Sequence, residues 1–140
     1  MDGDHAIDPW SSEGVTNYSR IVNKFGLRKL DPSLLPNPGL LHRRGIVFAH
    51  RDLDVAVRCI KDDSPLGVLT GLMPSGGMHL GHSMVIEQVK WFQQQGADVT
   101  VAVADLEALA TRGISLSEGR KTAIEAVSYT HLRAHETFRY

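Results

Sequence analysis

Between residues 50 and 127 the apolar positions switch repeatedly between two periods, and each switch marks an element. From His50 to Asp63, the residues Leu53, Val57 and Ile60 recur at spacings of four and three, the stripe of an amphipathic helix, and Lys61-Asp62-Asp63 ends it. Leu66-Gly67-Val68-Leu69-Thr70 is instead a continuous apolar run between Pro65 and Gly71, the pattern of a strand buried on both faces of a parallel sheet. Helical spacing returns at Val85, Val89 and Phe92 and stops at Gly96, where a glycine suits a helix C-terminus. Val99 to Val103 reads as a second strand, and Ser115-Leu116-Ser117-Glu118 has the Ser-x-x-Glu spacing of a capping box opening a helix through Ala123 and Val127. The order strand, Gly-rich turn, helix, strand is a βαβ unit with an expected right-handed crossover. The fold class is therefore α/β: part of a Rossmann-like, doubly wound parallel sheet.

Ahead of it the pattern is irregular. Four of the six prolines (Pro9, Pro32, Pro36, Pro38) precede residue 40, leaving room for one short helix from Tyr18 to Phe25, closed by Gly26. Residues 1–64 are expected to form an N-terminal extension, an arm or lid anchored by Trp10, with a lead-in helix. Residues 65–127 hold the first part of the α/β domain, and 128–140 form an atypical tail.

Composition narrows the class. With 140 residues and 42% hydrophobic content the chain supports one compact core and is too short for a multidomain ligase. A net charge of −1 carries no overall signature of a nucleic-acid binder. The single cysteine, Cys59, reads as a small buried hydrophobe and excludes a disulfide scaffold; with no signal-peptide h-region and no membrane-length apolar run, a cytoplasmic protein is expected.

The chemistry concentrates in Gly71-Leu72-Met73-Pro74-Ser75-Gly76-Gly77-Met78-His79-Leu80-Gly81-His82, where the first strand hands over to its helix. Ligands of open α/β sheets bind beyond the carboxyl ends of strands, and a helix N-terminus there offers free amides to a phosphate. Neither Gly-x-Gly-x-x-Gly nor Gly-Lys-Ser/Thr is present, so dinucleotide enzymes and P-loop NTPases lack their cradle. His79 and His82, three apart on one turn, are placed to donate toward one phosphate, and Gly81 leaves an open surface for a flat base. Asp105 and Glu107, after the second strand, open at the same edge, where a carboxylate would hold an α-ammonium group; the bland rival is that they favour the N-terminus of a following helix.

Pro74 to His82 resembles the HIGH signature of class I aminoacyl-tRNA synthetases. Thr70-Gly71 with the following helix resembles the tryptophanyl and tyrosyl branch, which shares a Pro-Ser-Gly element. Ile7-Asp8-Pro9-Trp10, Tyr18 to Gly26 and Arg43-Arg44-Gly45-Ile46-Val47-Phe48-Ala49-His50-Arg51-Asp52 resemble segments before the catalytic sheet in archaeal and eukaryotic tryptophanyl enzymes. The resemblance implies a HUP-type Rossmann-like fold and an ATP site at Gly71, Pro74, Ser75, Gly76, Gly77, His79, Gly81 and His82, with the two histidines catalytic. It implies amino-acid contacts from Leu69, Asp105 and Glu107, Mg2+ accompanying ATP with no protein-bound metal, L-tryptophan and tRNA(Trp) as partners, and a homodimer. Leu69 stands where an aromatic residue is common and Leu72 where a basic one is. The rivals are a tyrosine ligase, a non-catalytic nucleotide-binding module and a nucleotidylyltransferase of the same superfold, the last opposed by the Asp-Pro-Trp and Arg-Arg-Gly segments.

Other residues read as structural. Trp91 and Phe92 are expected in the core, and Arg43, Arg44 and Arg51 on a solvated surface rather than on tRNA. His131 and His135, an i, i+4 pair, lack the further ligands of a metal site. Their run, Ser128 to Tyr140, departs from the family pattern and resembles translated adapter sequence, the mark of an incomplete gene product expected to be weak or inactive alone.

Overall fold

In the computed structural model the chain is described from Tyr18 to His135, with side chains described as far as Ser128. Trp10 and the Ile7–Trp10 segment lie outside the described residues, as do the side chains of His131 and His135.

From Tyr18 on, the extension is more ordered than its prolines imply. Helix α1 (Tyr18–Lys24) ends at Gly26, whose φ of +59° is a left-handed position that glycine adopts without a Cβ clash. The short strands β1 (Arg28–Lys29) and β2 (Ala49–His50) pair antiparallel, and the Leu30 amide extends the ladder by donating to the Phe48 carbonyl at 2.9 Å. Between them lie a 3₁₀ turn (Pro32–Leu34), opened by the Asp31 side chain accepting from the Ser33 amide, and helix α2 (Leu40–Arg43). The two-residue ladder has no hydropathy signature, which is why the pattern does not reveal it.

Helix α3 (Leu53–Lys61) presents the expected stripe inward: Val57 joins Leu35 and Trp91 in the buried core, with Leu53 and Ile60 packed against them. Strand β3 (Gly67–Leu72), helix α4 (Leu80–Gln94) and strand β4 (Asp98–Val103) form the expected βαβ unit, with the strands parallel in the register Gly67↔Asp98 to Leu72↔Val103. Helices α5 (Asp105–Arg112) and α6 (Leu116–His135) follow and pack together. The capping box at the start of α6 forms as its spacing implies: the Glu118 amide donates to Ser115 Oγ at 3.3 Å, and the Ser115 amide donates to Glu118 Oε2 at 3.3 Å. The helix runs without a break past Ser128, because no glycine or proline interrupts residues 128–135.

Three expectations are corrected. The first strand is not buried on both faces: Val68 and Thr70 are half-buried on one side, whereas Leu69 is 73% exposed and Gly71 shares its open side. The physical reason is that the parallel sheet has two strands among the described residues, covered by α4 on one face only. On α4, the inward face is Ser83, Ile86 and Trp91, while Val85 is 38% exposed; the contacts with the extension, rather than the Val85 stripe, set how the helix is turned. Cys59 is half-buried rather than buried, since it lies beside the Val57 stripe of α3 and not on it.

The contacts between α4 and the extension centre on Trp91, 4% exposed, whose indole Nε1 donates to the Asn37 carbonyl at 2.9 Å. Beside it His42 is 2% exposed, its ring edge-on to the indole at 4.8 Å. The Gly39 amide donates to His42 Nδ1 at 3.0 Å, so the neutral ring carries its proton on Nε2 and donates it to Gln88 Oε1 at 2.9 Å. Burial, opposed by the Gln88 bond, holds the His42 pKa below its ordinary value of 6.5. A depressed folded-state pKa means the fold favours neutral His42, so this stability is complete above pH 6.5 and is lost as pH falls through the lower folded value. Thermal melts of the chain should therefore decline below about pH 6.5, and His42→Gln, which does not titrate, should flatten that decline while lowering the plateau. An unchanged slope in the variant would rule out His42 as the titrating group.

Candidate nucleotide site

The carboxyl ends of β3 and β4 point to one edge, and the segments leaving them meet there. The Ala104 amide donates to the Leu72 carbonyl at 2.9 Å, carrying the ladder past β4. Met73, just after β3, has its sulfur 3.9 Å from the Thr111 hydroxyl of α5. Pro74 is buried, and a Cβ built on Gly119 of α6 would lie 3.9 Å from Pro74 and 3.8 Å from Asp105 Cβ. Pro74 and Asp105 thus face the same glycine, which joins the Gly-rich turn to the start of α5.

The turn itself is open. Ser75, Gly76 and Gly77 are exposed, and no protein atom stands within 4 Å of where a Cβ would be at either glycine. Nothing among the described residues requires these two glycines sterically, so the room they leave is room for something else to approach the backbone.

At the N-terminus of α4 the two histidines form a reciprocal cap. The Gly81 amide donates to His79 Nδ1 at 3.2 Å, and the His79 amide donates to His82 Nδ1 at 3.3 Å. A helix start leaves its first amides without partners inside the helix, and these two are satisfied by imidazoles. The ring centroids lie 3.9 Å apart. Each ring accepts at Nδ1, so the neutral form of each carries its proton on Nε2, and both remaining donors are of one kind. His82 is held below its ordinary pKa first by burial and then by the adjacent His79. Two Nε2 donors beside a helix N-terminus favour a phosphate oxygen.

Gly81 serves this cap more directly than it serves a base. A Cβ there would stand 3.0 Å from His79 Cε1 and 3.1 Å from His79 Nδ1, so the space is already filled by the His79 ring. Gly81 is exposed, and on the side its missing Cβ would take it is in close contact with the His79 ring.

The remaining candidates spread along the edge. Asp105 is half-buried with Oδ1 accepting from the Leu106 amide at 2.8 Å, and Glu107 is exposed in the first turn of α5. Leu69 lies three residues back on the open face, with Gly71 and their partners Thr100 and Ala102 beside them. Thr100 and Ala102 escape a reading of one strand at a time, since only the parallel register brings them beside Leu69 and Gly71. Arg43 donates to the Pro38 carbonyl and Arg51 to the Phe25 carbonyl at 2.7 Å. Among the described residues no group of three or more His, Cys, Asp or Glu gathers as a metal site would, and no helix is long and apolar enough to cross a membrane.

The tautomers are directly checkable. Nitrogen-15 spectra of histidine-labelled protein near neutral pH should show His79 and His82 with unprotonated Nδ1 and protonated Nε2; the opposite tautomer at either ring would dismantle the reciprocal cap.

The family model for class I tRNA synthetases (W and Y) matches residues 61–134. The chain is 39% identical over 124 residues to a tryptophan–tRNA ligase of Methanosarcina acetivorans, covering 87% of this chain and 28% of that protein. It is 43% identical over 123 residues to the enzyme of that name from Methanopyrus kandleri, covering 85% and 33%. Among solved structures, tryptophanyl-tRNA synthetase from Aeropyrum pernix superposes with a TM-score of 0.69 at 38% identity, over 79% of this chain and 32% of that one. The tryptophan-bound enzyme of Encephalitozoon cuniculi gives 0.73 at 27%, over 81% and 37%. The chain spans about a third of the length of these relatives, and their Rossmann-like architecture is that of the βαβ unit here. With more than half its residues under the family model, and the HIGH-type histidines at the head of α4, the chain belongs to the class I aminoacyl-tRNA synthetases of the tryptophan and tyrosine group.

Proposed function

We propose that this chain is the nucleotide-binding segment of a tryptophan–tRNA ligase. The observation that carries the reading is the reciprocal cap, which leaves the Nε2–H groups of His79 and His82 as matched donors at the N-terminus of α4. In the complete enzyme the tryptophan carboxylate attacks the α-phosphorus of ATP. A carboxyl-to-phosphorus bond forms, the bridge to the β-phosphate breaks and pyrophosphate departs; a hydroxyl of tRNA(Trp) then takes the acyl group from the adenylate, and AMP leaves.

Charge builds on the phosphate oxygens during that displacement. Donors already fixed in place stabilise it without reorganising, an effect worth about 3–4 kcal/mol for one well-placed group. His79 and His82 take that role. Gly71, Pro74, Ser75, Gly76 and Gly77 shape the approach of ATP, which brings Mg2+ with it. Leu69 borders the amino acid, and Asp105 or Glu107 meets its ammonium group. The relatives named as tryptophan–tRNA ligases favour tryptophan over tyrosine, and a cytoplasmic homodimer is the form proposed for the whole enzyme.

Calorimetry of ATP binding to the purified chain, with His79→Ala/His82→Ala as the control, tests the nucleotide site. Affinity should fall at least tenfold in the double variant; equal affinities would remove the histidines from the site. Gly81→Ala should also weaken ATP about tenfold by displacing the His79 ring, yet leave the melting temperature equal or higher, because alanine favours a helix by about 1 kcal/mol over glycine. By itself the chain should charge no tRNA, whereas the intact enzyme should exchange pyrophosphate with tryptophan and not with tyrosine. Exchange driven by tyrosine would move the assignment to the sister branch.

A further inference from the structure

Four histidines have described side chains, and each uses Nδ1 in the same way, as the acceptor of a backbone amide at the start of a helix. The Gly39 amide donates to His42 at 3.0 Å at α2, and the Leu53 amide donates to His50 at 3.2 Å at α3. At α4 the His79 amide donates to His82 at 3.3 Å and the Gly81 amide to His79 at 3.2 Å. None of these three starts has an ordinary hydroxyl or carboxylate cap. Gly39 has no side chain, and a Cβ on it would crowd His42 Nδ1 at 3.3 Å. Asp52, the N-cap of α3, sits at φ +57° rather than in the extended conformation from which a carboxylate reaches the first amides, and its side chain is paired with Arg28. At α4 the N-cap is His79 itself. Other turns are opened differently: Asp31 accepts from the Ser33 amide at the 3₁₀ turn, and Ser115 with Glu118 caps α6.

An imidazole caps a helix only while Nδ1 is bare. Protonation turns both ring nitrogens into donors, so the amide loses its acceptor, and at α3 and α4 the new cation also faces the positive end of the helix dipole. Imidazole makes this change between about pH 7 and 5, a window in which a hydroxyl does not titrate. The Asp31 and Glu118 carboxyls are held below their ordinary values by their hydrogen bonds to Ser33 and Ser115, so those caps stay ionised there. His42 and His82 are held down first by burial, so the fold favours the neutral, capping form of both. That contribution is complete above pH 6.5 and is lost as pH falls through the lower folded values. Gln88 and Trp91, which His42 meets, are neutral; Glu87 and Lys90 beside them on α4 pair with each other at 3.8 Å, and Arg43 is held by the Pro38 carbonyl, with Arg44 following it. His50 stands across the ladder from Arg28, which is bonded to Asp52 and Asp54, and Arg51 is held by the Phe25 carbonyl. His79 and His82 face each other, and Asp105 and Glu107 are the carboxylates at the same sheet edge.

We propose that the imidazole caps of α2, α3 and α4 form an acid-operated release, which opens the start of the helix carrying the nucleotide site together with two helix starts of the extension, while α6 stays closed. The buried Leu35, Val57 and Trp91 do not titrate and keep the core assembled, so the opening is confined to the helix starts. At α4 the two rings, with centroids 3.9 Å apart, repel once both are charged, and their Nε2 donors are no longer held in place by an inward bond. The release depends on the caps alone, whatever ligand the site takes.

The test titrates the purified, nitrogen-15-labelled chain from about pH 7.5 to about 5 and follows its amide resonances. The Gly39, Leu53, His79 and Gly81 amides should move upfield with midpoints in the histidine range. Their hydrogen exchange should speed up about fivefold relative to the intrinsic rate at each pH, the loss of one ordinary cap. The Ser33 and Glu118 amides should hold their positions throughout. In His42→Asn/His50→Asn, both away from the nucleotide site, the side-chain oxygens accept but do not titrate. There the Gly39 and Leu53 amides should stop responding to pH while His79 and Gly81 respond as before; a Gly39 amide that still titrates would count against the proposal. The wild-type titration decides without any variant: Gly39 and Leu53 amides that stay still overturn the release, and so do Ser33 and Glu118 amides that move with the rest, as in a general unfolding.

Discussion

Helix α4 is fixed by one buried contact, the Trp91 indole lying against the Asn37 carbonyl and the His42 ring. It is joined by the bond from His42 to Gln88 and by Leu35 and Val57 packed in the same core, and together these attach the extension to the helix that carries the site. Removing a buried tryptophan generally costs about 3–5 kcal/mol, a large share of the stability of a small domain. The contact therefore does two jobs at once. It orients α4, whose first turn bears His79 and His82, and it holds the basic extension beside that turn.

Much of this is legible in the chain, for identifiable reasons. Leu53, Val57 and Ile60 declare α3 because one-sided burial leaves a 3.6-residue period, and all three reach the core. Ser115 and Glu118 declare the start of α6 because capping is a local event, complete within four residues. The His-Leu-Gly-His turn announces its place at the strand-to-helix switch, and both histidines are there.

What is not legible depends on partners distant in sequence. Val85 looks inward on period alone, but Trp91 and Ile86 decide the facing of α4 because the Asn37 and His42 segment lies about fifty residues away. Leu69 looks like a fully covered strand residue, and its exposure depends on whether a helix lies over its face of the sheet. Gly81 is the subtler case. Its spacing marks it as special, yet the reason is the His79 ring two residues earlier, a contact visible only once the cap has formed.

The reciprocal cap also explains why few other side chains would serve at its two positions. The inward nitrogen closes the helix end and the outward nitrogen is left for a ligand, about 2 Å away across a rigid ring whose two ends are chemically tied. Asparagine matches the inward acceptor but has no second group reaching as far; glutamine reaches outward but gives up the inward bond or the outward one. A drift to either would leave an ordinary helix start that has lost one end of a two-ended tool, so the tolerance of this turn to substitution is set by an atom that never touches the ligand.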